Sequence, residues 1–145
     1  MAAEDKEQPE PLEKVQDNAR TEDFQMKNKV YELIRYGNPI LDGFPRYERY
    51  GLAKEIRQTQ YNIMHHVITL ENKHYKKTTL GELDTELDWL RQTLRLAADK
   101  ELHANKKPCI SLHQYEVWSR KVNEIGRMIG GYFESLNPQS AKKKK

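Results

Sequence analysis

Apolar residues recur at intervals of three and four along most of the chain, the spacing that marks one face of a helix. Four such patterns stand out. The first covers roughly 22–41, with Phe24, Val30, Leu33, Ile34 and Leu41 near one side. Pro39 falls inside it, so a kink or an early end is expected. Asp42-Gly43-Phe44-Pro45 follows as a connector with strong turn chemistry. The second pattern starts at Tyr47 or Gly51 and runs to Tyr75, carried by Leu52, Ile56, Ile63, Val67 and Leu70. The basic segment Lys73 to Lys77 suits the negative end of its dipole.

The third pattern is the clearest: Leu80, Leu83, Leu87, Leu90, Leu94 and Ala97 alternate by three and four, as a bundle seam does. Thr78 or Thr79 is expected to cap its start, with Glu82 three residues after Thr79. It fades near His103, and Asn105 to Pro108 read as a loop. The fourth opens at Ser111, with Gln114 completing a capping-box sequence. Tyr115, Trp118, Val122, Ile125, Ile129, Tyr132 and Leu136 continue it until Asn137-Pro138. Long helices of similar length joined by short loops predict an all-α fold, an up-down-up-down four-helix bundle over 21–137.

Composition agrees. The chain has 145 residues, enough for one domain, with 32% charged and 37% apolar residues. Those values suit helices with thin apolar stripes and wide solvated faces. Seven Gly and six Pro are too few for a chain of turns and short strands. The formal charge of +3 is unevenly spread. Residues 1–20 hold six acids against three bases and contain two prolines, so they read as a disordered acidic tail. Residues 138–145 end in Lys142 to Lys145 and read as a disordered basic tail. The body between is nearly balanced. The single cysteine, Cys109, excludes an internal disulfide and fits the reducing cytoplasm, where the protein is expected. No stretch is apolar enough for a membrane span, and the acidic N-terminus is unlike a secretory signal.

Chemistry is sparse. There is no Ser-His-Asp order, no strand-led phosphate loop and no metal signature. Gly126 to Gly131 is glycine-rich but lies within a helical pattern, where backbone N–H groups are already used. His103, Cys109 and His113 straddle one loop, but their spacing matches no zinc pattern and a fourth ligand is missing. His65 and His66 are adjacent and point to different faces, one partly buried and one exposed. Asp84 and Asp88 share a face, which solvation and pairing to Arg91 explain better than acid–base catalysis. No cofactor or metal is expected, and the chain is not expected to be an enzyme.

Two features remain. Arg91 and Arg95 lie four apart on one helix face, where like charges repel by a few tenths of a kcal/mol. Asp88 and Asp99 stand three and four residues away and can pair with them. Otherwise the arginines contact phosphate or a partner. Gly126, Gly130 and Gly131 each cost about 1 kcal/mol relative to alanine inside a helix. That cost suggests close approach of another backbone, within the bundle or in another subunit. Arg127 sits on the same side as Gly131 and Glu124. Trp89 is a further candidate for such an interface, and Trp118 lies on the seam.

Three segments carry a family resemblance. Phe44-Pro45-Arg46-Tyr47-Glu48-Arg49-Tyr50-Gly51-Leu52 opens the second helix, and Leu90-Arg91-Gln92-Thr93-Leu94-Arg95-Leu96-Ala97 lies in the third. Leu112-His113-Gln114-Tyr115 through Glu124-Ile125-Gly126-Arg127-Met128-Ile129-Gly130-Gly131-Tyr132 fills the fourth. In this order and spacing, over roughly 25–136, they resemble the accessory variability determinant (Avd) of diversity-generating retroelements. The resemblance implies a four-helix bundle assembled as a homopentameric barrel. It also implies a non-catalytic partner of the element's reverse transcriptase that binds RNA or cDNA and supports adenine-directed copying. The family's basic residues in the third and fourth helices match Arg91, Arg95 and Arg127. Arg46, Arg49, Lys54 and Arg57 are candidates on their basic character alone.

The alternative is a stand-alone bundle of the kind encoded in intervening sequences of ribosomal RNA genes, with a structural or RNA-associated role. A reverse-transcriptase gene and paired repeats beside this one would separate the two readings. A small metalloenzyme comes third.

Overall fold

A computed structural model describes residues 21–72 and 76–136, with the side chains of 21–24 and 136 left outside that description. Both tails, Lys73 to Tyr75, Asn137-Pro138 and the side chains of Phe24 and Leu136 therefore lie outside the described residues. Four long helices form: α1 Thr21–Asp42, α2 Leu52–Asn72, α3 Lys76–Ala98 and α4 Leu112–Leu136. A four-residue helical turn, Arg46–Arg49, precedes α2, and a 3₁₀ turn, Lys100–Leu102, follows α3. No strand occurs among the described residues.

Each helix packs chiefly on its two neighbours, α1 on α2 and α4, and α3 on α2 and α4. Side-chain pairs show that neighbours run antiparallel. Lys27 meets Glu71 and Asn38 meets Tyr61 between α1 and α2. Lys76 meets Tyr132 and Arg91 meets Asn123 between α3 and α4. The core is the set of expected stripes: Val30, Leu33, Ile56, Ile63, Leu83, Leu87, Leu90, Trp118, Val122 and Ile125 are fully buried.

Several boundaries follow from local chemistry. At the start of α4, Ser111 Oγ accepts from Gln114 N at 3.0 Å, and Gln114 Oε1 accepts from Ser111 N at 2.9 Å. Both halves of the expected capping box are therefore made. Three expectations need correction. Helix α1 does not end early at Pro39 but continues to Asp42, so the ring costs it the bond to the Arg35 carbonyl without breaking it.

Neither Thr78 nor Thr79 caps α3, which is already helical at Lys76. Thr79 lies four residues before Leu83 on the core stripe and is 1% exposed, so burial overrides its capping preference. Lys76 and Lys77 consequently open α3 instead of closing α2, an end where the helix dipole disfavours cations. Lys76 Nζ is held on α4 instead, donating to Tyr132 OH at 3.1 Å and lying 5.7 Å from that ring's centroid.

One polar relay crosses the core. Trp118 Nε1 donates to Gln60 Oε1 at 3.1 Å, Gln60 Nε2 to Asn38 Oδ1 at 3.3 Å, and Asn38 Nδ2 to Tyr61 OH at 3.0 Å. Gln60 and Trp118 are both fully buried, so the indole N–H and the amide oxygen satisfy each other where water is excluded. Gly37 on α1 makes the space. A Cβ there would stand 2.5 Å from both Gln60 Oε1 and Trp118 Cζ2.

Candidate nucleic-acid and partner interface

The α3 helix divides by charge along its length. Lys76 and Lys77 open it, Glu82, Asp84, Glu86 and Asp88 occupy its middle, and Arg91 and Arg95 lie toward its end. The two flanks also differ. Glu82 and Glu86 approach His66 of α2, at 3.9 and 4.0 Å. Asp88 and Arg91 turn toward α4. There Arg91 Nη1 donates to Asp88 Oδ1 at 2.6 Å, and Nε to Asn123 Oδ1 at 3.1 Å.

Arg95 stands one turn further on and is exposed, with no ion pair among the described residues. Of the two expected acid partners, Asp88 therefore pairs and Asp99 does not. The helix ends at Ala98, and Asp99 takes an extended backbone (φ −91°, ψ 104°) that removes the one-turn geometry. Its carboxylate instead accepts from Glu101 N at 3.0 Å.

Arg127 is exposed on α4, one turn beyond Asn123, with no ion pair among the described residues. Arg120 and Arg127 line the same open trough along α4, with Asn123 between them. The sequence reading missed Arg120, although its spacing of three and seven residues to Asn123 and Arg127 places all three on one face. Lys121 and Glu124 line the α1 side of the same trough and are engaged. Glu124 holds Lys29 at 3.1 Å, which raises that lysine's pKa, and Lys121 lies 5.6 Å from the Tyr36 ring centroid.

The remaining basic candidates sit around the connection between α1 and α2. Arg46 and Arg49 lie on the short helical turn, and Lys54 is exposed in the first turn of α2. Tyr47 OH donates to Asn105 Oδ1 at 3.0 Å, and Glu48 Oε2 lies 3.8 Å from His103 Nδ1. These contacts tie the turn to the loop after α3, so Arg46 and Arg49 share one end of the bundle with Arg95, Lys100 and Lys107. Arg57 is set apart. Asp42 Oδ1 accepts from its Nη2 at 2.8 Å, and that bond raises the arginine's pKa.

The glycines separate into different roles. A Cβ on Gly126 would lie 2.8 Å from Arg91 Nη2, so this glycine accommodates a side chain of its own bundle. Cβ atoms on Gly130 and Gly131 would meet nothing within 4 Å. The expected close approach by a backbone of the same bundle is therefore absent at these two among the described residues. Gly130 lines a trough of about 370 Å³ between α3 and α4, with Leu80, Gly81, Ile129 and Phe133. Gly131 lines another of about 220 Å³ on the α1 side, with Met26, Met128 and Tyr132. Trp89 is 45% exposed but is three residues from Glu86 and seven from Glu82, which places it on the α2 flank, away from the glycines.

His103 and Cys109 come together, with Cys109 Sγ 3.7 and 3.8 Å from the two ring nitrogens. His113 is exposed in the first turn of α4. No group of three or more His, Cys, Asp or Glu side chains among the described residues is arranged to hold a metal ion. Of the adjacent histidines, His65 is exposed and His66 half-buried, as expected. Burial, with the Glu48 carboxylate adding to it, pushes the Cys109 thiol from 9.0 up to about 11.

At pH 8 a thiol at that value is ionised to roughly a hundredth of the ordinary extent. The more basic thiolate recovers roughly tenfold in intrinsic nucleophilicity. Alkylation of Cys109 by iodoacetamide is therefore expected to run about tenfold slower than that of an unstructured cysteine peptide. A rate equal to the peptide's would contradict the buried, acid-flanked setting. Raised in this way, the thiol favours the folded state below its ordinary value, and that contribution is lost as pH rises toward 11.

No helix among the described residues is long and apolar enough to cross a membrane. A family model described as bAvd-like matches residues 24–136, a span that takes in nearly all of the four helices. No curated protein matches the chain.

Proposed function

We propose a function from the premise that this chain belongs to the bAvd-like family: it is a non-catalytic accessory protein of a diversity-generating retroelement. It binds the element's reverse transcriptase together with template RNA and cDNA, and supports adenine-directed mutagenic reverse transcription (mutagenic retrohoming). The family match over residues 24–136 carries this reading. The local chemistry supports it. Three arginines without ion pairs among the described residues, Arg95, Arg120 and Arg127, surround an anchored fourth on the flank shared by α3 and α4. Such a surface attracts phosphate. The reaction itself belongs to the polymerase, and this chain contributes binding and orientation.

The assembly is a homopentamer. The open troughs beside Gly130 and Gly131 support this, because space next to exposed helical glycines admits a neighbouring chain. Co-expression with the reverse transcriptase of such an element, followed by native mass measurement, tests both parts. The expected species is one polymerase with five copies of this chain. A monomer that does not associate with the polymerase would overturn the proposal.

A further inference from the structure

We infer that Asn123 and Gly126 are positioning residues for Arg91, presetting its guanidinium for planar, two-point recognition of a phosphodiester group of single-stranded nucleic acid. The inference rests on the proposed role of Arg91 as a nucleic-acid contact. Three neighbours hold this side chain. Asp88, three residues earlier on α3, accepts from Nη1, and Asn123 across the helix pair accepts from Nε. Nη2 points into the gap at Gly126, where any Cβ would stand 2.8 Å away.

A guanidinium has five N–H donors. Two are used here, one on Nε and one on Nη1, which leaves one on Nη1 and both on Nη2. Three donors on two nitrogens thus remain, enough to reach two oxygens of one phosphate. Freezing a long side chain normally costs binding energy, and here the bundle has already fixed it. Among the described residues Arg95, Arg120 and Arg127 have no such supports, so they supply charge and Arg91 supplies geometry.

Phosphate is favoured over a protein carboxylate by what surrounds the arginine. Its hydrogen-bond partners Asp88 and Asn123 are polar, and Arg95, Arg120 and Arg127 add charge on the exposed faces of the same two helices, although the gap at Gly126 opens on an apolar trough. Protein interfaces anchor on buried aromatic or aliphatic side chains, whereas backbone contacts to nucleic acid need none.

The test is fluorescence anisotropy with a single-stranded RNA of mixed sequence over a salt series, using the full chain. Arg91→Ala is expected to weaken binding about tenfold and to lower the salt slope, because a charge is lost. Arg91→Lys should weaken it nearly as much while keeping the slope, since lysine retains charge but not the fork. Asn123→Ala and Gly126→Ala should each weaken it several-fold at unchanged slope, with no further loss when added to Arg91→Ala. Thermal melting checks that these variants fold, and alanine at position 126 favours the helix.

The Arg91 Nε–H resonance should exchange with water faster in Asn123→Ala than in the parent chain. If Arg91→Ala weakens binding but Arg91→Lys, Asn123→Ala and Gly126→Ala do not, the positioning role is overturned and the contact stands. If Arg91→Ala leaves RNA affinity unchanged, the contact itself is overturned. Loss of polymerase association in that case assigns the arginine to a protein surface and equally overturns the inference.

Discussion

Gly37→Ala is expected to destabilise the bundle by about 3 kcal/mol and to lower its melting temperature by about 10 °C. A new Cβ would sit 2.5 Å from Gln60 Oε1 and from Trp118 Cζ2, and 3.0 Å from Trp118 Cε2. Neither neighbour can yield cheaply. The indole is fully buried, meets the Tyr36 ring edge-on at 6.0 Å, and is tied by its N–H to Gln60. Moving it forfeits a buried hydrogen bond, worth about 1–3 kcal/mol when a partner is left unsatisfied. Overpacking costs about 1–3 kcal/mol more. Against these stands a gain of about 1 kcal/mol from replacing glycine in a helix, which the clash outweighs.

Gly130→Ala is the matched control, because its Cβ meets nothing within 4 Å. Within a single chain the propensity gain should appear alone there, at about 0.5–1 kcal/mol of stabilisation, and packing by a neighbouring subunit would reduce it. Urea unfolding of both variants decides the matter. A Gly37→Ala chain as stable as the parent would mean that the indole and amide are not packed against α1 as described.

Replacing Arg91, Arg95 and Arg127 together by alanine is expected to weaken RNA binding by about a thousandfold at moderate salt, taking about tenfold for each contact. Three lost phosphate contacts should also reduce the slope of log affinity against log salt by about 2 for a single strand. The loss should be largest in dilute salt and shrink as salt screens the parent protein too. Folding should be spared: Arg95 and Arg127 have no ion pairs among the described residues, and the Arg91–Asp88 pair is largely solvated, the kind worth under about 1 kcal/mol. Measured affinity across a salt series checks the binding claim. If RNA binding and polymerase association both survive the triple replacement, these arginines are not the contact surface.

Much of the bundle was legible because the helical stripes are strong. The Leu80 to Ala97 seam and the Ser111–Gln114 cap are local patterns, and each appears where its spacing places it. The start of α3 was not legible. Thr79 carries two signals, a capping hydroxyl and a core register four residues before Leu83, and only tertiary packing decides between them. Pro39 left a kink or an early end open, and α1 runs past the ring to Asp42, with Leu41 buried beyond it.

The arginine face was half legible. Intervals of three and four told which acids stand near Arg91 and Arg95. They did not tell that the backbone turns out of helical geometry at Asp99 and leaves Arg95 alone. The link between Arg91 and α4 was beyond reach, because pairing Asn123 with it requires the relative register of two helices. Gly126 was recognised as costly, but its occupant was a side chain of the neighbouring helix and not another backbone.

The lengthwise division of charge on α3 constrains the direction in which a polyanion lies on the surface. A strand running parallel to the helix axis on the α4 flank would carry its phosphates from Arg95 and Arg91 onto Asp88 and Asp84, where each further nucleotide meets repulsion. A strand crossing the axis stays over Arg91 and Arg95 and leaves across the exposed arginines of α4. On the proposed nucleic-acid role, the footprint on one chain would then be short and transverse, a few nucleotides wide.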